Sequence, residues 1–186
     1  MPTTSIAPDP HRLSRLVSLG YEAPVNFGSR TPGRDDGARE KEAWRLFDEE
    51  AARAFGCQLA MVEYFAEDKP ERSFIATGGL GGFEEVFSSA RFLKAEDNYL
   101  SGMLQRPAGS VYLGTEIVPP DRMRRSTSYS RLAMPWHLEH FLMGSIFTGE
   151  GGGAFFSLGR TAREEPFVEG DKALVGKLLL SHLTRS

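Results

Sequence analysis

The apolar residues of this chain fall into two rhythms. From Ala38 to Phe55, Trp44, Phe47, Ala51, Ala54 and Phe55 recur at three- and four-residue steps with charges between them. That spacing predicts an amphipathic helix, and Gly56 is placed to stop it. From Cys57 to Phe65 the period drops to two, with Leu59, Met61 and Glu63 alternating against Ala60, Val62 and Tyr64. This predicts a strand, followed by a turn at Glu67–Pro70 and a second, shorter strand over Ser73–Thr77. Phe83 to Lys94 returns to helical spacing, with Phe83, Val86, Phe87 and Ala90 inward. Asn98–Leu104 reads as a further short helix and Ser110–Leu113 as a brief strand. Pro119 and Pro120 open another helix through Asp121, Met123 and Arg124.

The strongest strand signal lies between His137 and Arg160. Two apolar runs flank Thr148, Gly149, Glu150, Gly151, Gly152 and Gly153, which predicts a β-hairpin around a glycine-rich loop. Alternation assigns Leu138, His140, Leu142, Gly144 and Ile146 to one face, and His137, Glu139, Phe141, Met143 and Phe147 to the other. Both faces carry bulky apolar groups. A sheet with one wet side would show polar residues there, so each side must be covered. We expect helices over one side and a partly apolar cavity over the other.

The two ends differ. Met1–Pro10 holds three prolines and no apolar period, Leu13, Leu16, Val17 and Leu19 suit a short helix, and Pro24, Gly28, Pro32, Gly33 and Gly37 break the chain repeatedly. Residues 1–37 are expected to be a flexible extension and 38–186 the domain. The last helix, Lys172–Thr184, carries Leu174, Val175, Leu178, Leu179, Leu180 and Leu183. This is more apolar surface than one docking face needs, and Leu174, Leu178, Leu179 and Leu183 are candidates for pairing with a second copy.

Composition narrows the classes. A chain of 186 residues with 40% hydrophobic and 25% charged content suits one globular domain. A net charge of −3 gives no general attraction to nucleic acid or an anionic membrane, and no apolar run could span one. The lone Cys57 and an N-terminus without a secretory pattern fit the cytoplasm.

Signals for chemistry are thin. Gly78–Gly82 lacks the Lys-Ser/Thr ending of a phosphate loop and the dinucleotide spacing. His137 and His140 stand an odd number of residues apart on a strand, so they cannot share one metal ion. Cys57 has no evident base beside it, and Ser126, Ser128 and Ser130 sit in no nucleophile elbow. Arg122, Arg124, Arg125 and Arg131 make a basic patch that suits either an anionic ligand or plain solvation. The remaining set is aromatic. Tyr129, Trp136, His140, Phe141, Met143 and Phe155 could line a mostly apolar ligand pocket, with Tyr129, Trp136 and His140 as polar handles. Binding is favoured over catalysis, and neither a metal nor a cofactor is implied.

The run from Gly109 to Phe147, the strand AFFSLGR and the closing segment from Arg163 to Ser186 together resemble the N-terminal sensor half of LuxR-type helix-turn-helix transcriptional regulators, a GAF/PAS-like domain. The resemblance rests on Ser126 with Tyr129, Pro135, Arg160, Phe167, Asp171, and His182 with Leu183. It implies an α+β fold, a GAF/PAS-like central antiparallel sheet of about five strands flanked by helices. It further implies a small-molecule effector, a homodimer, no membrane, and no direct nucleic-acid contact by this segment, DNA being read by a module expected downstream of Ser186. The rival readings are a ligand-free dimerisation module and a small enzyme drawing on Glu139, His140 and Tyr129.

Overall fold

A computed structural model describes residues 9–22, 34–66, 73–89, 102–126, 129–149 and 152–177. The elements run α1 (Pro10–Glu22), α2 (Arg34–Ala54), β1 (Leu59–Ala66), β2 (Phe74–Gly78), α3 (Phe83–Ser89), β3 (Val111–Leu113), the short α4 (Gly114–Ile117) and α5 (Pro120–Arg124), β4 (Leu138–Gly149), β5 (Gly152–Thr161) and α6 (Glu169–Val175). A π-helical turn, Tyr129–Ala133, and a 3-10 turn, Met134–Trp136, lead into β4. The strands form one antiparallel five-stranded sheet in the order β2-β1-β5-β4-β3. This is the α+β architecture the two rhythms predict.

Register decides which side chains share a face. Val62 lies across from Phe156, Ala60 from Leu158, and Leu142 from Leu158 on the other flank. With Ala76, Val111 and Ile146 they pack beneath Leu16 of α1 and Trp44, Phe47, Ala51 and Phe55 of the α2 region. Phe47 sets its ring edge-on between Trp44 and Phe156, at centroid distances of 5.5 and 5.7 Å. Val175 of α6 joins this core and Leu174 packs against it, so the helices gather on one side as expected. Leu59, Met61 and Ile75 point to the opposite side and meet Phe83 of α3, Ala133 and Leu138.

Arg160, at the end of β5, fastens three elements on the helix side. Its guanidinium donates to Phe55 O (2.8 Å) beyond the C-terminus of α2, donates to Glu165 O (3.2 Å), and stacks 4.0 Å over the Phe167 ring. It also lies 3.6 Å from the Asp171 carboxylate, which itself accepts from Val168 N at the start of α6 (3.0 Å). A cation against the last carbonyls of a helix complements the helix dipole.

Four expectations need correction. The extension at 1–37 is not uniformly flexible: α1 forms, Leu16 is fully buried, and Arg12 and Arg15 reach the buried Glu50 of α2 (3.6 and 3.9 Å). His137 is not a strand residue but ends the 3-10 turn in a left-handed conformation (φ 58°). The ladder then shifts between Leu138 and His140, and this bulge turns Leu138 to the side of Phe141 rather than that of Leu142. Finally, most of the glycine-rich loop is strand, since Thr148 pairs with Gly153 and Gly149 with Gly152. The Phe147 and Phe155 rings lie where Cβ atoms on Gly149 and Gly153 would fall, so glycine here admits two rings as well as a reversal.

Asp48 of α2 is fully buried. One oxygen accepts from Val62 N (3.2 Å), and the other, Oδ1, has no hydrogen-bond partner among the described residues. Burial pushes its carboxyl well above the ordinary carboxylate range, against the opposing effect of the Val62 N–H. The folded chain therefore holds a proton that the unfolded chain releases near pH 4. This contribution is complete below that pH and is lost as pH rises through the folded value. Asp48→Asn should gain on the wild type by about 1.4 kcal/mol for each pH unit across that window, read as the difference between two urea-denaturation series. A difference that does not change with pH would contradict a neutral Asp48. The same packing makes Gly78 intolerant of a side chain: a Cβ would fall 2.2 Å from Glu49 N and 2.3 Å from Asp48 C, both backbone atoms of α2. Gly78→Ala should destabilise by roughly 1–3 kcal/mol in the same assay.

Candidate ligand-binding site

The sheet face turned away from α2 is covered by short pieces. Phe83 opens α3 and meets the Trp136 ring edge-on at 5.1 Å between centroids. Around this pair gather Leu59, Met61, Ile75, Ala133 and Leu138, with Leu80, Tyr129 and Phe141 half-buried against them. Alternation extends the face along the sheet. Phe141 lies across from Gly159, Met143 from Ser157, and Ser145 from the buried Phe155.

Of the six candidate pocket residues, Tyr129, Trp136 and Phe141 therefore meet in one cluster, and Met143 and Phe155 continue the same face. His140 does not belong with them. It shares the parity of Leu142, whose side chain lies in the helix-side core, and so falls on the other side of the sheet from Phe141. His137 is exposed at its turn. Among the described residues no three His, Cys, Asp or Glu side chains gather closely enough to hold a metal ion. Of the proposed dimer residues, Leu174 packs on its own domain, whereas Leu178, Leu179 and Leu183 lie outside the described residues.

At the rim, the bulge in β4 aims Glu139 at the turns. Its Oε2 accepts from the Tyr129 hydroxyl (2.6 Å), and its Oε1 accepts from Arg124 Nε (2.9 Å) and Nη2. Burial pushes the Glu139 carboxyl up, but the Tyr129 and Arg124 hydrogen bonds and the Arg124 charge outweigh it and hold it below the ordinary carboxylate range. The same bond from Tyr129, with burial second, raises the tyrosine. Ser126 completes the arrangement, donating to Met123 O (2.7 Å) and accepting from Tyr129 N (3.0 Å). The serine is a turn cap, and Arg124 of the basic patch is an internal partner. Arg122, Arg125 and Arg131 are exposed.

Other reactive groups are occupied structurally. The Cys57 thiol points to the Leu59 and Ala52 carbonyls (3.3 and 3.7 Å), and burial pushes it up to about 12, with the Arg160 charge opposing. A thiol that keeps its proton is a poor nucleophile.

No family model and no curated protein sequence matches the chain. Solved structures do. The N-acylhomoserine lactone dependent LuxR-family transcription factor CepR2 from Burkholderia cenocepacia superposes with a TM-score of 0.59 at 12% identity, over 95% of this chain and 94% of that one. A GAF domain/HD domain protein from Geobacter sulfurreducens superposes with a TM-score of 0.53 at 16% identity, over 84% of this chain and 93% of that one. The fold is GAF-like. At such identities the likeness concerns the GAF-like backbone alone, as the resemblance of the second half of the sequence implied. No helix among the described residues is long and apolar enough to cross a membrane.

Glu139 and Tyr129 were visible in the sequence only as scattered candidates. Their union with Arg124 had no sequence signal, because a strand bulge and a π-helical turn create it. The buried Ser145 and Ser157 did leave one, as polar residues at the parity of Phe141, Met143 and Phe155. Tyr129→Phe should raise the Glu139 carboxyl by removing its donor, and Arg124→Gln should do the same. Carbon-13 titration of the Glu139 carboxyl by NMR reads both shifts, and an unmoved midpoint in both variants would refute the arrangement.

Proposed function

We propose that this chain is the small-molecule-sensing regulatory domain of a LuxR-type transcriptional regulator acting in the cytoplasm. A ligand lies against the sheet face bordered by Trp136 and Phe141 and biases how the covering turns pack. The observation that carries this reading is the unequal cover of the two faces. The helix side is sealed by α1 and α2, whereas Leu59, Met61 and Phe141 are covered by α3 and by 3-10 and π-helical turns. Short turns have few internal hydrogen bonds to break and can part around a guest. The GAF-like fold, shared over nearly the full length with CepR2, supports the same reading. Occupancy would pass through Arg160, which joins β5 to α6, and then through the leucine-rich segment after Val175 to a second copy. DNA would be read by a separate module.

Two experiments test the two halves. The chain has two tryptophans, so Trp44→Phe leaves Trp136 as the lone emitter. Titration of this variant with hydrophobic small molecules should shift or quench Trp136 emission saturably, and native mass spectrometry of freshly purified protein should show a retained compound. Flat emission with every compound and no retained mass would favour the ligand-free dimerisation module. For the second half, Leu179→Glu should convert dimers to monomers in sedimentation velocity, and an unchanged profile would remove Leu179 from the interface.

A further inference from the structure

The start of α6 is held from both sides of the sheet. Arg160 grips it through Asp171 on the helix side. A second contact runs round the edge of the sheet at β3. Val111 lies in the helix-side core, and a Cβ on Gly176, the residue after α6, would stand 3.6 Å from its Cγ2. The helix therefore passes one residue from Tyr112. Tyr112 alternates with Val111 and Leu113, so its side chain leaves the strand on the other side, across from Met143 of the ligand face. Its ring nevertheless meets α6: the Lys172 ammonium stands 6.0 Å from the ring centroid, and the Arg106 guanidinium 4.5 Å. β3 is an edge strand, which lets a lysine from one side reach a ring from the other.

Lys172 is fixed in that position. Its ammonium donates to both carboxylate oxygens of Glu116 in α4 (2.8 and 2.9 Å) and lies 3.5 Å from Glu169. Glu116 in turn accepts from Leu113 N (2.7 Å) through its side chain and from Arg106 Nη2 (3.1 Å) through its backbone carbonyl. Both cations beside Tyr112 are thus joined through one residue of α4. The Lys172 hydrogen bond, against burial, holds the Glu116 carboxyl below the ordinary range, so the pair stays charged at neutral pH.

We propose that Tyr112 is the coupling residue of the sensor, passing occupancy of the face beside Met143 to α6 through Lys172. This rests on the sensing function proposed above and adds a path that begins on the ligand face, which the Arg160 contacts do not. Directly paired cross-strand side chains touch, so a guest against Met143 also settles where the Tyr112 ring stands. Moving the ring takes the π-face from the Lys172 ammonium and loosens the first turn of α6. The ring carries the coupling and the hydroxyl does not, because both cations meet the ring.

The test uses the full chain and N-phenyl-1-naphthylamine, an uncharged fluorescent probe of apolar sites. Amide hydrogen exchange over residues 169–177 is followed by mass spectrometry with and without saturating probe. It is compared in wild type, Tyr112→Phe, Tyr112→Leu and Lys172→Met. The probe should change exchange there by about threefold or more in wild type and Tyr112→Phe, and by less than about 1.5-fold in Tyr112→Leu and Lys172→Met. A tyrosine that merely packs would alter exchange equally with and without the probe. Combining Tyr112→Leu with Lys172→Met should shift the probe Kd no further than either change alone. A wild-type response that persists in Tyr112→Leu and Lys172→Met, or that is absent although the probe binds, would overturn the coupling and leave ligand binding in place. Loss of the response in Tyr112→Phe would overturn the role of the ring. Failure of the probe to bind wild type would remove the sensing function itself, and the coupling with it.

Discussion

A sheet that is apolar on both faces must be covered twice, and the chain meets that demand with unequal materials. α2 and α1 close one face with Trp44, Phe47, Phe55 and Leu16, all buried, and the close approach at Gly78 leaves no room for a Cβ. The other face receives α3 and a run of tight turns whose largest contributions are Phe83 and Trp136. Close-packed interiors deform little, whereas short turns with few shared contacts reorganise at lower free energy.

The bulge at the start of β4 sets the details of that side. One extra residue between Leu138 and His140 reverses the parity of everything before it. Leu138 is thereby added to the apolar cluster, Glu139 meets Tyr129 and Arg124, and His140 remains on the opposite side. The left-handed His137 immediately upstream turns the chain out of the 3-10 helix at the point where the strand begins. A conformation uncommon for a residue with a Cβ, next to a bulge, often marks strand ends that support a site.

Polar groups divide by which face they serve. On the helix side Asp48, its carboxyl pushed up by burial, accepts from the Val62 N–H of the sheet, while Arg160 ties α2, the segment after β5 and the start of α6 together. These interactions hold parts of the scaffold to one another. On the other side Glu139 is fully engaged with the turns, and the buried Ser145 hydroxyl has no hydrogen-bond partner among the described residues.

Much of this fold was legible along the chain because it depends on short-range periodicity. The Trp44 helix with Gly56 behind it, the β1–β2 hairpin, the proline-opened α5 and the two apolar faces of the main hairpin all follow from spacings of two, three and four residues. The resemblance to LuxR-type sensor domains implied the same α+β architecture. What periodicity cannot carry is an interruption of itself. The bulge that moved Leu138, the turn that removed His137 from the strand, and the burial of Leu16 against α2 are settled by contacts between segments distant in sequence, and no local pattern encodes them. The candidate site divides along the same line. The sequence determined that Phe141 and Met143 would share a face, since a strand alternates between irregularities, and the β4–β5 register brought Phe155 to the same side. Only the tertiary structure decided that Tyr129 and Trp136 would come down upon that face, that Glu139 would be their partner, and that His140 would not, because those outcomes depend on where the ladder slips by one residue.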